Sequence, residues 1–144
     1  MFDEATTELA PQECWELLSA HTLGRLAFHL VDELHITPIN YVVDSGSLLF
    51  RSAEGSKLLG VVMGGPMAFE IDGDDGQTAW SVVVRGEASL LSEGQAHRAD
   101  ALPLHPWVDG EHKYNVVEIR PTEVTGRFFR LDPDARGASG GAGA

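Results

Sequence analysis

The segment best suited to chemistry is the run FRSAEGSKL at residues 50–58. Arg51 can bind an anion through two parallel hydrogen bonds, and Lys57 adds a compact positive charge. Ser52 and Ser56 add hydroxyl donors. The pattern predicts a strand that ends at Arg51, then a turn and the start of a helix, where free N–H groups and the helix dipole favour a negative charge. This combination suits a phosphate monoester.

The alternative for this segment is a capped helix with two solvated basic side chains. The G-x-x-x-x-G-K spacing of a Walker loop is absent, and so is the G-x-G-x-x-G fingerprint of dinucleotide binding. The chain has only 10 Lys and Arg residues against 22 Asp and Glu, and its net charge is -12. This charge disfavours nucleic acid and anionic membrane surfaces as partners, whereas one local basic cluster is enough for a small anionic ligand.

Metal and nucleophile chemistry have little support in the other residues. The six histidines include no pair at the i, i+4 spacing of a helical metal site, so no metal site is predicted. The acidic turn at residues 72–76 has Val83 where a calcium loop needs a glutamate. Cys14 is the only cysteine, which excludes an intramolecular disulfide, and we expect a buried thiol there. The nucleophile motif G-x-S-x-G is also absent.

The elements that position the basic segment are mostly short strands. Pro11 is expected to begin a helix that runs to about residue 20. Further short helices are predicted at 55–63 and 93–102. Alternation of apolar and polar residues predicts strands at 26–30, 35–43, 48–51, 67–72, 80–90, 114–119 and 124–131. The last two strands are expected to be separated by Pro121 and Thr122.

Six or seven strands with turn signals and only short helices predict a mainly β fold, a small antiparallel β-barrel. Pro38 indicates an edge strand, a bulge or a place where a ligand replaces a neighbouring strand. Gly86 indicates a bend or bulge in the longest strand. We expect one domain over residues 1–132 and a flexible Gly/Ala-rich tail over 133–144. The absence of a long apolar run and the acidic first residues predict a cytoplasmic protein.

Five motifs, taken in order, resemble the pyridoxamine 5′-phosphate oxidase-like flavoproteins. They are GRLA at 24–27, PINYV at 38–42, FRSAEGSKL at 50–58, FEID at 69–72 and WSVVVRG at 80–86. Within that family the sequence most resembles the small branch that includes nitroimidazole-reductase-like proteins. The resemblance covers about residues 9–131. It implies a split β-barrel homodimer that binds FMN at the subunit interface.

The resemblance also implies a role for particular residues. The residues that would hold the FMN phosphate and ribityl chain are Arg51, Ser52, Ser56 and Lys57. Those that would line the isoalloxazine ring, largely through backbone atoms, are Pro38, Ile39, Asn40 and Tyr41. Trp80 and Ser81 are expected to approach the ring, and Trp107 is expected to come from the other subunit.

The activity implied is that of an FMN-dependent oxidoreductase. The flavin would carry electrons from a reduced nicotinamide to a small electrophile such as a nitroaromatic or a quinone, so no catalytic side chain is predicted. The C-terminal arginine and histidine signature of the true pyridoxamine phosphate oxidases is missing, and GRFFRL stands at 126–131. Two alternatives stay open. One is a flavin-binding or sensing module without turnover, and the other is an enzyme of the same fold that uses a deazaflavin or haem.

Overall fold

The computed structural model describes residues 6–30, 32–53, 65–100 and 114–131. Its elements, in chain order, are β1 (Thr6–Glu8), α1 (Pro11–Ala20), β2 (Leu23–Leu30), β3 (Glu33–Asn40), β4 (Val42–Asp44), β5 (Ser47–Ala53), β6 (Met67–Asp74), β7 (Thr78–Leu90), a 3₁₀ helix (Glu93–Ala99) and β8 (Tyr114–Arg130). The helix predicted at 55–63 and the tail predicted at 133–144 lie outside the described residues. No helix within the described ranges is long and apolar enough to cross a membrane.

All eight strands belong to one antiparallel sheet. The strand order is β3-β2-β6-β7-β8-β5-β4, and β1 pairs with β8. β3 and β4 stand at the two ends of this order, yet the single residue Tyr41 joins them in the chain. The sheet must therefore curl until its two edges meet, and β3 contacts β5 there. The predicted antiparallel split β-barrel is confirmed, with seven strands along the main order and the three-residue β1 in addition.

The barrel core is built from the inward-facing residues of these strands and from one side of α1. The α1 helix packs against β4, β7 and β8 and buries Cys14 and Leu18, so the predicted buried thiol is confirmed. The Tyr41 hydroxyl donates a 2.6 Å hydrogen bond to the Leu18 carbonyl oxygen. The largest buried strand residues include Leu26, Leu48, Phe50, Phe69, Ile71, Val82, Val84 and Ile119.

The last strand is longer than the sequence predicted, because β8 runs unbroken through Pro121. The register between β7 and β8 shifts after Arg85, where Gly86 faces Pro121. Thr122 is the extra residue of this β-bulge, and its hydroxyl donates to the Arg85 carbonyl oxygen at 3.2 Å. A bulge tolerates a proline because it already interrupts the ladder of hydrogen bonds. The irregularity expected at Gly86 is thus confirmed, and it is what allows the strand to continue.

Two other predicted elements differ in detail. The strand expected at 35–43 is divided at Tyr41 into β3 and β4, because these segments belong to opposite edges of the sheet. Pro38 lies on β3, where it faces Arg25. β3 is an edge strand of the sheet, and an edge strand is one of the placements expected for Pro38. The helix expected at 93–102 is a 3₁₀ helix that ends at Ala99.

Candidate functional site

The end of β3 and the end of β5 meet where the barrel closes. β4 pairs with β5 in an antiparallel register that, continued through Tyr41, places Asn40 opposite Arg51 and Ile39 opposite Ser52. β3 also contacts β5, although the described sheet records no ladder of hydrogen bonds between them. We call these four residues, Ile39, Asn40, Arg51 and Ser52, the seam. The structure therefore brings part of the predicted ring-lining segment beside part of the predicted phosphate-binding segment.

The seam places its side chains on two faces of the sheet. Ser52 is 4% exposed and lies on the same side of β5 as the core residue Phe50. Arg51 lies on the opposite side, is half-buried, and donates from Nη2 to the Ala99 carbonyl oxygen at 3.2 Å. Consecutive strand residues alternate in this way. The guanidinium of Arg51 thus lies on the outer face of β5, beside the 3₁₀ helix.

The side-chain amide of Asn40 lacks a partner within the described part of the chain. Its Nδ2 atom is buried and has no hydrogen-bond acceptor there. A buried donor left without an acceptor costs about 1–3 kcal/mol. A bound molecule with a carbonyl oxygen or a ring nitrogen could accept this hydrogen bond. The guanidinium of Arg51 is a second donor group near this amide, whereas the Ser52 hydroxyl lies on the core side of β5.

Tyr41 can contribute to such a site only through its backbone. Its side chain is 1% exposed, its hydroxyl is bonded to Leu18, and its ring packs edge-on against Phe69 with centroids 4.8 Å apart. Burial raises the pKa of the Tyr41 phenol, so the hydroxyl remains a donor. This side chain closes the barrel and belongs to the core.

Beside Pro38, one arginine and two carboxylates form an ionic network on the outer face. Arg25 Nη2 lies 2.8 Å from Glu70 Oε1 and 2.6 Å from Asp72 Oδ2. Burial and the neighbouring Asp72 carboxylate raise the pKa of Glu70, whereas hydrogen bonds from Glu70 and Arg25 lower the pKa of Asp72. Asp72 therefore keeps its charge to lower pH than Glu70 does. The network holds the middle of β2 against β6.

Trp80 and Ser81 pair with β8 at a different place from Arg51. Trp80 faces Phe128 near the end of β8, whereas Arg51 faces Val116 near its start. On the other side of β7, Ser81 faces Asp72 of β6, and the Trp80 ring centroid lies 5.0 Å from that of His21. His21 comes just before Leu23 and Gly24 of β2, which face Asn40 and Ile39. Trp80 and Ser81 therefore lie toward the β3 side of the seam, with β6 and β2 between them and β3.

A separate cavity opens beside Trp80. Its volume is about 450 Å³, and Asp72, Ser81 and Phe129 contribute to its walls. The indole packs closely on Gly73, where a Cβ atom would lie 2.8 Å from the ring, and its centroid is 5.0 Å from that of His21. A flat indole at the wall of an open cavity can stack on a ring-shaped ligand.

Three predicted site residues, Ser56, Lys57 and Trp107, lie outside the described residues. Sequence reasoning gave no role to Arg98, whose Nε atom lies 2.6 Å from Asp44 Oδ2 and whose Nη2 atom lies 3.0 Å from Glu118 Oε2. The sequence offered one hint that Arg98 matters, namely that basic residues are scarce in this acidic chain. Its two partners lie on strands that are distant in the sequence, so no local motif connects them with Arg98.

The curled sheet and its closure at Tyr41 define a split-barrel protein. The sequence profile of the family described as pyridoxamine 5′-phosphate oxidase matches residues 10–128. The chain belongs to this family, as its motifs indicated.

Three relatives illustrate the similarity. The structure of the FAD binding protein from Mycobacterium smegmatis has a TM-score of 0.76 and 39% identity, over 88% of this chain and 100% of that chain. A conserved protein of unknown function from Corynebacterium diphtheriae has a TM-score of 0.73 and 34% identity, over 88% of this chain and 99% of that chain. The uncharacterized protein Rv0080 of Mycobacterium tuberculosis is 33% identical over 136 residues, covering 90% of this chain and 88% of that protein.

Proposed function

We propose that this protein binds a flavin at the seam and uses it as an oxidoreductase. Membership of the family supports the flavin, as does a relative of 39% identity described as an FAD binding protein. The observation that carries the proposal is the buried Asn40 amide without an acceptor in the described chain, beside the guanidinium of Arg51. In this proposal the amide donates to an acceptor on the ring, and the guanidinium attracts the negative charge of the phosphate.

In this proposal each seam residue has a defined task. Arg51 binds phosphate oxygens through its guanidinium, and Ser56 and Lys57 complete the phosphate site. Asn40 donates to an acceptor on the ring. The residues expected to line the ring through backbone atoms are Pro38, Ile39 and Tyr41. Ser52 supports the end of β5 from the core side, near the ribityl chain.

The bound flavin supplies hydride and electron transfer, and the protein orients it. We propose a reduced nicotinamide as the donor and a small electrophile, such as a nitroaromatic or a quinone, as the acceptor. No side chain is assigned as an acid or base. A flavin-binding module without turnover is the second candidate.

We propose FMN as the form of the flavin, because Arg51, Ser56 and Lys57 together suit a terminal phosphate monoester. FAD is the second candidate, since the relative from Mycobacterium smegmatis is described as an FAD binding protein. A deazaflavin would use the same phosphate site. Haem would need an axial ligand, and nothing in the seam supplies one.

We also propose a homodimer in which two copies share the flavin site. One observation supports it. Leu34 and Ile36 project from the same face of β3 and are 76% and 69% exposed, which offers an apolar surface to a partner. In this arrangement the partner's Trp107 reaches the ring.

An absorbance spectrum of the purified protein, taken after incubation with FMN or FAD and desalting, tests the binding. Retained bands near ~370 and ~450 nm are expected from the flavin chromophore that the protein orients. Consumption of NADH or NADPH with a nitroaromatic or a quinone then separates an enzyme from a binding module. A protein that retains no flavin at all would refute the proposal.

A further inference from the structure

The 3₁₀ helix lies on the outer face of β5 and β8 and has its own small apolar cluster. Ala99, Leu49 and Val116 are buried together there, apart from the barrel core. A 3₁₀ helix has poorer hydrogen-bond geometry than an α-helix, and three buried residues cover little apolar surface. Other interactions must therefore help to hold this helix against the sheet.

Arg98 provides the strongest of these interactions. It connects the 3₁₀ helix with Asp44 at the end of β4, at 2.6 Å, and with Glu118 on β8, at 3.0 Å. Glu118 is only 5% exposed. Although burial opposes its ionisation, hydrogen bonds from Arg98 and Ser47 hold its pKa below the ordinary value. The buried carboxylate is thus charged, and it is compensated by Arg98 at 3.0 Å and by the more exposed Arg120, whose Nε atom lies 3.4 Å from Glu118 Oε1.

The next residue along the helix contacts the seam directly. The Ala99 carbonyl oxygen accepts a 3.2 Å hydrogen bond from Arg51 Nη2. Arg51 and Glu118 share one face of the β5–β8 pair, because Leu49 faces Glu118 and Arg51 follows two residues later. A displacement of Arg98 would therefore move the Ala99 carbonyl and, with it, the guanidinium of Arg51.

We propose that Arg98 is a positioning residue for the flavin phosphate. Its two ion pairs fix the Ala99 carbonyl oxygen, and this oxygen orients the guanidinium of Arg51. The inference rests on the proposed flavin site. It has a specific consequence: the preference of the protein for phosphorylated over unphosphorylated flavin depends on a residue that does not touch the flavin.

The test compares FMN and FAD, which carry phosphate, with riboflavin, which does not. Dissociation constants are measured by titration on the flavin-free full chain for the wild type, Arg98→Gln and Asp44→Asn. Arg98→Gln is expected to weaken FMN or FAD binding roughly tenfold, which is part of the loss expected when a charge-assisted hydrogen bond is removed. Riboflavin binding is expected to weaken less than about twofold, because riboflavin has no phosphate. Asp44→Asn removes one of the two ion pairs, so its effect has the same direction and is smaller.

The matched control is Arg85→Gln. Arg85 is also paired with a carboxylate, Glu123, but at 4.0 Å, with both side chains more than half exposed and far from the 3₁₀ helix. Its binding constants are expected to equal those of the wild type. Circular dichroism and thermal melting establish whether each variant is folded. If Arg98→Gln does not fold, Asp44→Asn still tests the proposal.

The outcomes separate the two proposals. Wild-type protein that binds none of the three flavins refutes the proposed function, and the role of Arg98 falls with it. Wild-type protein that binds FMN or FAD, with folded variants that bind them equally well, refutes only the role of Arg98. An equal loss of riboflavin and phosphorylated flavin would also refute it, since this would indicate a general structural effect.

Discussion

At the scale of single residues, the proposed flavin site places different demands on Asn40 and on Arg51. Asn40 has a buried amide donor with no acceptor in the described chain, and the Arg51 guanidinium donates to the Ala99 carbonyl oxygen besides its other contacts. In the proposal, the flavin accepts a hydrogen bond from Asn40 and brings negative charge to Arg51. Substitutions here should therefore change flavin affinity and protein stability in different ways.

Arg51→Ala and Lys57→Ala are expected to weaken FMN binding. Each removes one charge-assisted contact to phosphate, worth about 1.5–3 kcal/mol, so the dissociation constant should rise roughly tenfold to a hundredfold. Fluorescence titration measures the change, and Arg85→Ala, at an arginine of β7 that is more than half exposed, is the control. If both variants bind FMN as tightly as the wild type, the phosphate assignment is wrong.

Asn40→Leu is expected to act in opposite directions on stability and binding. Leucine has nearly the same shape without the unsatisfied donor, so the flavin-free protein should gain about 1 kcal/mol of stability. FMN affinity should fall by about tenfold, because the ring loses a hydrogen bond. Urea denaturation and flavin titration measure the two quantities. A variant that loses stability and keeps its affinity would mean that Asn40 serves the fold and not a ligand.

At the scale of elements, the β7–β8 pair determines the shape of the barrel. The bulge formed by Thr122 opposite Arg85 lets β8 continue past Pro121. Gly86 is needed beside it, because a Cβ there would collide with the Arg120 carbonyl oxygen. As a result, one strand can pair with Trp80 near its end and with Arg51 near its start.

Gly86→Ala is expected to destabilise the protein by about 1–3 kcal/mol, because the backbone of β8 must move to admit the methyl group. The free energy of unfolding in urea measures this loss. Gly94→Ala is the matched control, since a Cβ at Gly94 meets nothing within 4 Å. Equal stability of the two variants would show that the close approach at Gly86 is easily relieved.

At the scale of the whole molecule, the proposed dimer needs a surface on which a second copy can pack. The exposed side chains of Leu34 and Ile36 mark such a face on β3. The net charge of -12 opposes close association of two copies. Burial of apolar surface must therefore outweigh this repulsion.

Light scattering at micromolar concentration is expected to give twice the chain mass of 15.5 kDa. Ile36→Glu should shift the protein toward the monomer and weaken FMN binding with it, because a charge is then buried in the contact. Leu90→Glu, which alters another exposed apolar side chain, at 41% exposure, is the control. A wild-type protein with the mass of a monomer would rule out the shared site.

Much of this architecture could be predicted from the sequence, because alternation and turn residues are local signals. They indicated the strands, the irregularity at Gly86, the edge position of Pro38 and the buried Cys14, and the ordered motifs indicated the family. The predictions were wrong where the structure of a segment depends on the strand that pairs with it. Pro121 was expected to end a strand, but the bulge opposite Gly86 allows it to continue.

Only the tertiary structure decided how the site is assembled. Closure of the sheet at Tyr41 brings the end of β3, with Asn40, against β5, with Arg51. Arg98 reaches Asp44, 54 residues away in the chain, and Glu118, 20 residues away. Such pairings depend on strand order and register, which arise from packing of the whole chain, and local sequence patterns do not encode them.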